Sequence, residues 1–271
     1  MGEGIRTVPN QMLGCWKRRY IKFNNGKTDT STRVVWLQTL SGMVDIRIPL
    51  RTLDFSRESR LEHYSLAQLM ELAAQDCGTG VTRLDEFTKP YATASWSSGE
   101  RDAYIQPVEN FPEDGWFAWQ DEGQCMMEWA PSGTYEEDWR LQNNSRGYVA
   151  DFQNVNPEKK EFVYVAGDHA VYVRGRDADL EEQRPLQEIV QANRDNEDYI
   201  RALVDVEFSY AVSNQSKQEF NIELSTLPYR EGQKLDLSFL LGMGMKDKRV
   251  KDPHTGEIWK RISQWHDDDA E

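Results

Sequence analysis

Cysteine is scarce in this chain: Cys15, Cys77 and Cys125 are the only three among 271 residues. The number is odd and no two stand at CxxC spacing, which argues against a disulfide framework or a structural zinc site and fits a reducing compartment. Histidine is scarcer relative to its uses: four are present, none paired at metal-ligand spacing, so no metal site is expected. Long apolar runs are missing too, with nothing near the eighteen or so residues a membrane span needs. The stretch from Met1 to Leu13 lacks the apolar core of a signal peptide, so a cytoplasmic location is expected. A positive excess is also absent. Lys and Arg number 32 against 46 Asp and Glu, a formal charge of −14, which argues against nucleic acid or an anionic membrane as partner. Ser225-Thr226 has no nucleophile-elbow context, and Gly242-Met243-Gly244 lacks the spacing and Lys-Ser/Thr ending of a phosphate loop. No cofactor is expected.

What is abundant is aromatic. Nine Trp, eleven Tyr and ten Phe sit in a chain with mean hydropathy −0.75. Disordered chains are poor in rings, so this one is globular. Many rings and few aliphatics suit thin-walled β structure, where large side chains fill a barrel. Period-two alternation in Arg33–Thr39 and Met43–Pro49 flanks Leu40-Ser41-Gly42, a hairpin signal. Ser65 is an N-cap candidate for a short helix over 65–75, in which Leu66, Leu69, Met70 and Ala73 keep helical spacing. Short strands are then expected near 80–84, 91–96, 102–106, 115–120, 124–129 and 134–141, separated by Gly-, Pro- and Ser-rich turns. Residues 143–160 read as a polar boundary. Beyond it the pattern restarts, with a hairpin over 161–174, a helical stretch 186–203 broken near Asn193, and strands over 204–212, 219–226, 235–241 and 257–265. The expected class is therefore all-β with a few short helices, divided into 1–145 and 146–271.

In such a barrel residues i, i+2 and i+4 share a face. Tyr135, Glu137 and Trp139 form one mixed set, leaving Glu136, Asp138 and Arg140 as an expected solvent face. A carboxylate among rings is costly without a partner and its pKa rises, so Glu137, with Tyr135, is the candidate proton-transfer pair. Val44, Ile46 and Ile48 oppose Asp45 and Arg47. Either the aliphatic set lines the core and the charges are a surface pair worth little, or the barrel is polar inside and Arg47 anchors a ligand anion or Glu137. Trp36, Gln38, Trp96, Tyr104 and Trp139 complete a candidate ligand slot, flat and apolar with a few polar groups. His169, beside Asp168, reads as a turn residue.

The order of landmarks carries one resemblance. Gly14-Cys15-Trp16, VVWLQT…VDIRIP, SLAQLMELAAQ, Gly78-Thr79-Gly80 and YEEDWR at 135–140 are followed by VAGDHAVYVRGR at 166–176, EFSYA at 207–211 and STLPYREG at 225–232. Together these resemble the Hri1-like group of poorly characterised bacterial and fungal proteins. The resemblance implies two consecutive lipocalin-like, calycin-type antiparallel barrels and no particular reaction. Three functions are consistent with it: non-catalytic binding of a small hydrophobic or aromatic metabolite in the N-terminal barrel; a cofactor-free isomerase, hydratase or lyase in the same cavity; and a protein-interaction module, with a homodimer as one arrangement.

Overall fold

The computed structural model describes residues 7–40, 42–85, 91–97, 103–107, 113–180, 183–213, 219–244 and 246–266. The all-β expectation holds. The first sheet comprises β1 (Gly14–Phe23), β2 (Thr28–Asp29), β3 (Arg33–Gln38), β4 (Met43–Ile48), β5 (Asp76–Leu84), β6 (Ala92–Ser97), β7 (Gly115–Gln120), β8 (Cys125–Trp129) and β9 (Tyr135–Leu141). Every pairing is antiparallel, the order is β2-β1-β3-β4-β5-β6-β7-β8-β9, and β1 pairs with β9 as well. That last ladder closes eight strands into a barrel, with β2 appended beside the C-terminal end of β1. Closure leaves no long unpaired edge on the barrel.

The second sheet comprises β10 (Tyr148–Asn154), β11 (Glu161–Ala166), β12 (His169–Arg174), β13 (Glu207–Ser213), β14 (Glu219–Ser225), β15 (Lys234–Asp236), β16 (Arg249–Lys251) and β17 (Ile258–His266). It is antiparallel and curled, in the order β15-β14-β13-β12-β11-β10-β17-β16, and stays open because β15 and β16 do not pair. Its two faces carry different apolar sets. Phe162, Tyr164, Val171, Val173 and Phe208 join the core shared with the first sheet, while Val163, Val165, Ala170, Phe220 and Ile222 fill the inside of the curl.

Four short helices complete the chain: α1 (Leu66–Leu72), α2 (Leu186–Ala192), α3 (Glu197–Val204) and α4 (Ser238–Leu241). The expected cap is present, Ser65 and Gln68 bonding each other's backbone N–H as a capping box. Asn193 ends α2 and the Asn196 side chain caps α3, which is the expected polar break. Helix α1 lies against α2 and α3, and β3 lies against β11, so the outer wall of the barrel is covered on that side.

Several segment expectations need correction. Residues 143–160 are not all loop: Tyr148–Asn154 is the strand between β11 and β17, and because Val149 to Phe152 are all buried it shows no alternation. The 102–106 segment makes a lone bridge, Gly78 to Tyr104, rather than a strand, Asp102 lying outside the described residues. The 235–241 stretch turns from β15 into α4. Asp138 is on the outer face as expected but only 3% exposed, because the Arg140 guanidinium forks over both its oxygens at 2.6 and 2.8 Å. His169 is no turn residue. It opens β12, accepts from Tyr210 Oη at Nδ1 (2.7 Å) and donates from Nε2 to the Asn143 carbonyl (2.8 Å). A carbonyl can only accept, and that fixes the tautomer. No helix among the described residues is long and apolar enough to cross a membrane.

Candidate functional site

The interior of the closed barrel is polar and aromatic, and the aliphatics are on its outside. Met43, Asp45 and Arg47 of β4 point inward, while Val44, Ile46 and Ile48 point outward yet are at most 2% exposed. The usual hydrophobic-in rule is inverted because the outer wall is itself packed, against the helices and the second sheet. Of the two readings left open for Asp45 and Arg47, the inward one is therefore found.

The inward side chains surround a cavity of about 80 Å³. Six residues singled out from the sequence line it: Trp36, Arg47, Trp96, Tyr135, Glu137 and Trp139. The rings meet edge to face, Trp36 lying 5.5 Å from Trp139 and 6.5 Å from Trp96. Such geometry sets the positive edge of one ring on the negative face of the next. Two singled-out residues lie elsewhere. Gln38 is fully buried, accepts from Trp36 Nε1 (3.2 Å) and Thr82 Oγ1 (2.8 Å), and donates to the carbonyls of Thr39 and Gly42; it positions Trp36 and does not line the cavity. Tyr104 sits outside the barrel in a separate cleft.

Two charged residues that sequence reasoning passed over, Glu128 and Arg18, complete the site. Glu128 faces Glu137 directly across the β8–β9 ladder, so two carboxyl groups share one inward face. Glu128 accepts from Tyr135 Oη (3.0 Å) and from Trp139 Nε1 (2.9 Å). Arg18 donates from Nη1 to Glu137 Oε1 at 2.7 Å and from Nη2 to Asp29 Oδ2 at 3.2 Å. Its inward aim depends on a bulge in β1: Arg18 opposes Trp139 and Tyr20 opposes Asp138, with Arg19 as the extra residue. Without that insertion Arg18 and Ile21, three apart, would face opposite sides. Asp45 Oδ2 accepts from Arg47 Nε at 2.6 Å, while Asp45 Oδ1 is buried with no hydrogen-bond partner among the described residues. Gly115 makes room for this crowding, since a Cβ there would meet Trp96 Cη2 at 2.5 Å and Glu128 Oε1 at 3.3 Å.

Burial and charge set the state of Glu128. Burial, then the Glu137 charge, pushes the Glu128 carboxyl up to about 8, against the opposing pull of Arg47 and the two hydrogen bonds. Glu137 is held by Arg18 at 2.7 Å, and Glu128 is a carboxyl that burial raises. Burial also pushes the Tyr135 phenol up, with Glu128 and Glu137 adding to it, so it remains a neutral hydroxyl. Burial alone would lower the Arg47 pKa, but Asp45 and Glu137 more than offset it and the guanidinium stays charged. Among the described residues no group of three or more His, Cys, Asp or Glu is placed to hold a metal ion. The three thiols are free and buried, and burial pushes Cys15 up to about 12, which makes it inert as a nucleophile.

The Glu128 shift has a measurable sign. Its folded value lies above the reference 4.5, so the native protein keeps a proton that the unfolded chain releases between about pH 4.5 and 8. Stability is lost as pH rises through that window, by at most about 1.4 kcal/mol per unit. Glu128→Gln is therefore expected to gain stability on the parent protein steadily from pH 5 to 8.5 in urea unfolding. A difference that stays flat with pH would mean that Glu128 is ionised throughout.

No family model matches the sequence, and no curated protein matches it. Among solved structures, an uncharacterised protein of Saccharomyces cerevisiae, YLR301w, is similar over 93% of this chain and 98% of its own, with a TM-score of 0.54 at 9% identity. Likeness at that identity shows the fold alone. The barrel topology is consistent with a calycin-like fold.

Proposed function

We propose that the N-terminal barrel binds a small planar molecule, aromatic or otherwise apolar, through a polar head group, and that it does so without turnover. The observation that carries this reading is the convergence of three indoles, Arg47 and the unpartnered Asp45 Oδ1 on one cavity inside a closed barrel. Binding sites of this kind are apolar slots with a few placed polar groups. At about 80 Å³ the cavity admits a few heavy atoms, so the head group enters between Arg47 and Asp45 while the rest of the ligand lies toward Glu113 at the rim. A donor on the head group would satisfy Asp45 Oδ1, and an acceptor would meet the Arg47 fork. We further propose that the chain is a relative of the Hri1-like group, one closed barrel followed by a curled open one with the boundary near residue 145, that it acts in the cytoplasm, and that neither nucleic acid nor membrane is its partner.

The enzymatic alternative has one observation in its favour. Glu128, raised to about 8, would be a general acid at neutral pH beside Arg47, which could stabilise a developing oxyanion. In that reading Glu128 moves the proton, Tyr135 relays it, and Glu137 orients Arg18 and Arg47.

Tryptophan fluorescence separates these readings from a filled, inert barrel. The parent protein, titrated with a panel of benzoates, phenols and aromatic amines, is expected to show saturable quenching by at least one of them. Arg47→Lys should weaken that binding about tenfold, because a point charge replaces a fork. The bound compound recovered unchanged after long incubation supports the carrier; recovered altered, with Glu128→Gln inactive, it supports the enzyme. Quenching that is absent across the panel, or unaffected by Arg47→Lys, would remove the site.

A further inference from the structure

A second cleft, of about 280 Å³, lies outside the barrel and is lined by Tyr104, Lys160, Arg176 and Asp179 with small and aliphatic neighbours. Its two cations are brought together by Gly175. That glycine donates its N–H to the Lys160 carbonyl at 2.7 Å, and a Cβ there would come within 2.7 Å of Lys160 Cβ. Any larger residue would push apart the start of β11 and the end of β12, and with them Lys160 and Arg176.

Among the described residues, Arg176 is held in place by neutral groups only. Nε donates to the Leu203 carbonyl at 2.8 Å, Nη2 to the Ile105 carbonyl at 2.9 Å, and the guanidinium carbon lies 5.8 Å from the Tyr104 ring centroid. Nη1 has no hydrogen bond to any described residue. The contrast with other half-buried arginines is sharp: Arg174, two residues earlier, meets Asp205 at 2.6 Å, and Arg230 meets Glu207 at 2.7 Å. Acids outnumber bases by 46 to 32 in this chain, so a guanidinium that pairs with no carboxylate among the described residues is not explained by a shortage of acids. Asp179, on the rim, pairs with neither Arg176 nor Lys160. Burial lowers the Arg176 pKa to about 10, with Tyr104 and Tyr199 opposing. A partly desolvated cation without a counter-charge is costly, and an incoming anion removes that cost.

We propose that this cleft binds a small anion through a carboxylate or phosphate group, with Arg176 presenting the fork, Lys160 the second charge and Tyr104 the wall. Guanidinium geometry matches either oxyanion in a two-point contact, and an ammonium adds a point charge. The cleft is sized for a metabolite rather than for a folded partner.

Calorimetric titration of the full chain with inorganic phosphate and, separately, with succinate tests this at constant ionic strength set by chloride. Saturable binding with a Kd of about 1 mM or tighter is expected for at least one probe. Phosphate alone would point to a phosphorylated ligand, succinate alone to a carboxylate, and either result supports the site. Lys160→Ala, on an exposed side chain, should weaken binding at least about tenfold, and Arg176→Gln should abolish it. Amide shifts from the bound probe should cluster around 104, 160 and 176. If Arg176→Gln fails to fold, Lys160→Ala and the shift map decide alone. Absence of saturation by both probes, undiminished binding to Lys160→Ala, or shifts confined elsewhere would overturn the proposal.

Discussion

Arg18→Met is expected to lower the unfolding free energy by about 3–5 kcal/mol, the usual cost of stripping one partner from a buried ion pair. The side chains of Arg18 and Glu137 are only 5% and 2% exposed, and their atoms are 2.7 Å apart. Without Arg18, Glu137 keeps only Arg47, at 4.0 Å, and still faces Glu128 across the ladder. A buried carboxylate with a distant counter-charge and an acidic neighbour is the arrangement that burial penalises most. Arg18→Met combined with Glu137→Leu removes both charges and should cost less than Arg18→Met alone, because no orphan remains. Urea unfolding of the parent, the single and the double variant at pH 7 measures this. A single-variant cost under about 1 kcal/mol would mean the pair behaves like a solvated surface bridge.

The second large effect is expected at Trp139. It is 1% exposed, packs its ring against Trp36 at 5.5 Å and donates from Nε1 to Glu128 Oε2 at 2.9 Å. Trp139→Ala should cost about 3–5 kcal/mol by enlarging the cavity and removing ring contacts. Trp139→Phe keeps most of the ring and loses the donor, so about 1–3 kcal/mol is expected. The hydrogen bond it loses is one of the forces holding the Glu128 pKa down, so the pH window of Glu128 should shift upward in both variants. The vacated space is ring-shaped and largely walled by rings, so added indole should raise the Tm of Trp139→Ala by more than that of the parent. No rescue by indole would mean that the walls collapse into the space.

Much of the site was legible because period-two spacing carries facing information directly. Tyr135, Glu137 and Trp139 were grouped by that rule alone, and they do face one cavity. Glu128 was missed although it stands on a recognisable strand, because its importance comes from its register opposite Glu137, and register between strands is not written in either strand. The cue available was a lone acid in Cys125–Trp129 among Met and Trp side chains. Arg18 was missed for a different reason: β1 reads Lys-Arg-Arg through its middle, and the bulge that turns Arg18 inward breaks the very alternation that would have marked a strand.

The amino-acid sequence by itself determined the class of the molecule: short alternating segments, turn residues between them, a capped helix, many rings and no long apolar run. Those are local properties, set by side-chain period and backbone preference within a few residues. Only the tertiary structure decided that the first sheet closes through β1 and β9 while the second stays open, since closure joins residues more than a hundred positions apart. It also decided which face of β4 is the inside. Alternation says that Asp45 and Arg47 oppose Val44 and Ile46; which pair lines the barrel depends on what covers the outer wall. Here the helices and β11 bury the aliphatic face from outside, and the charges are left to line the cavity.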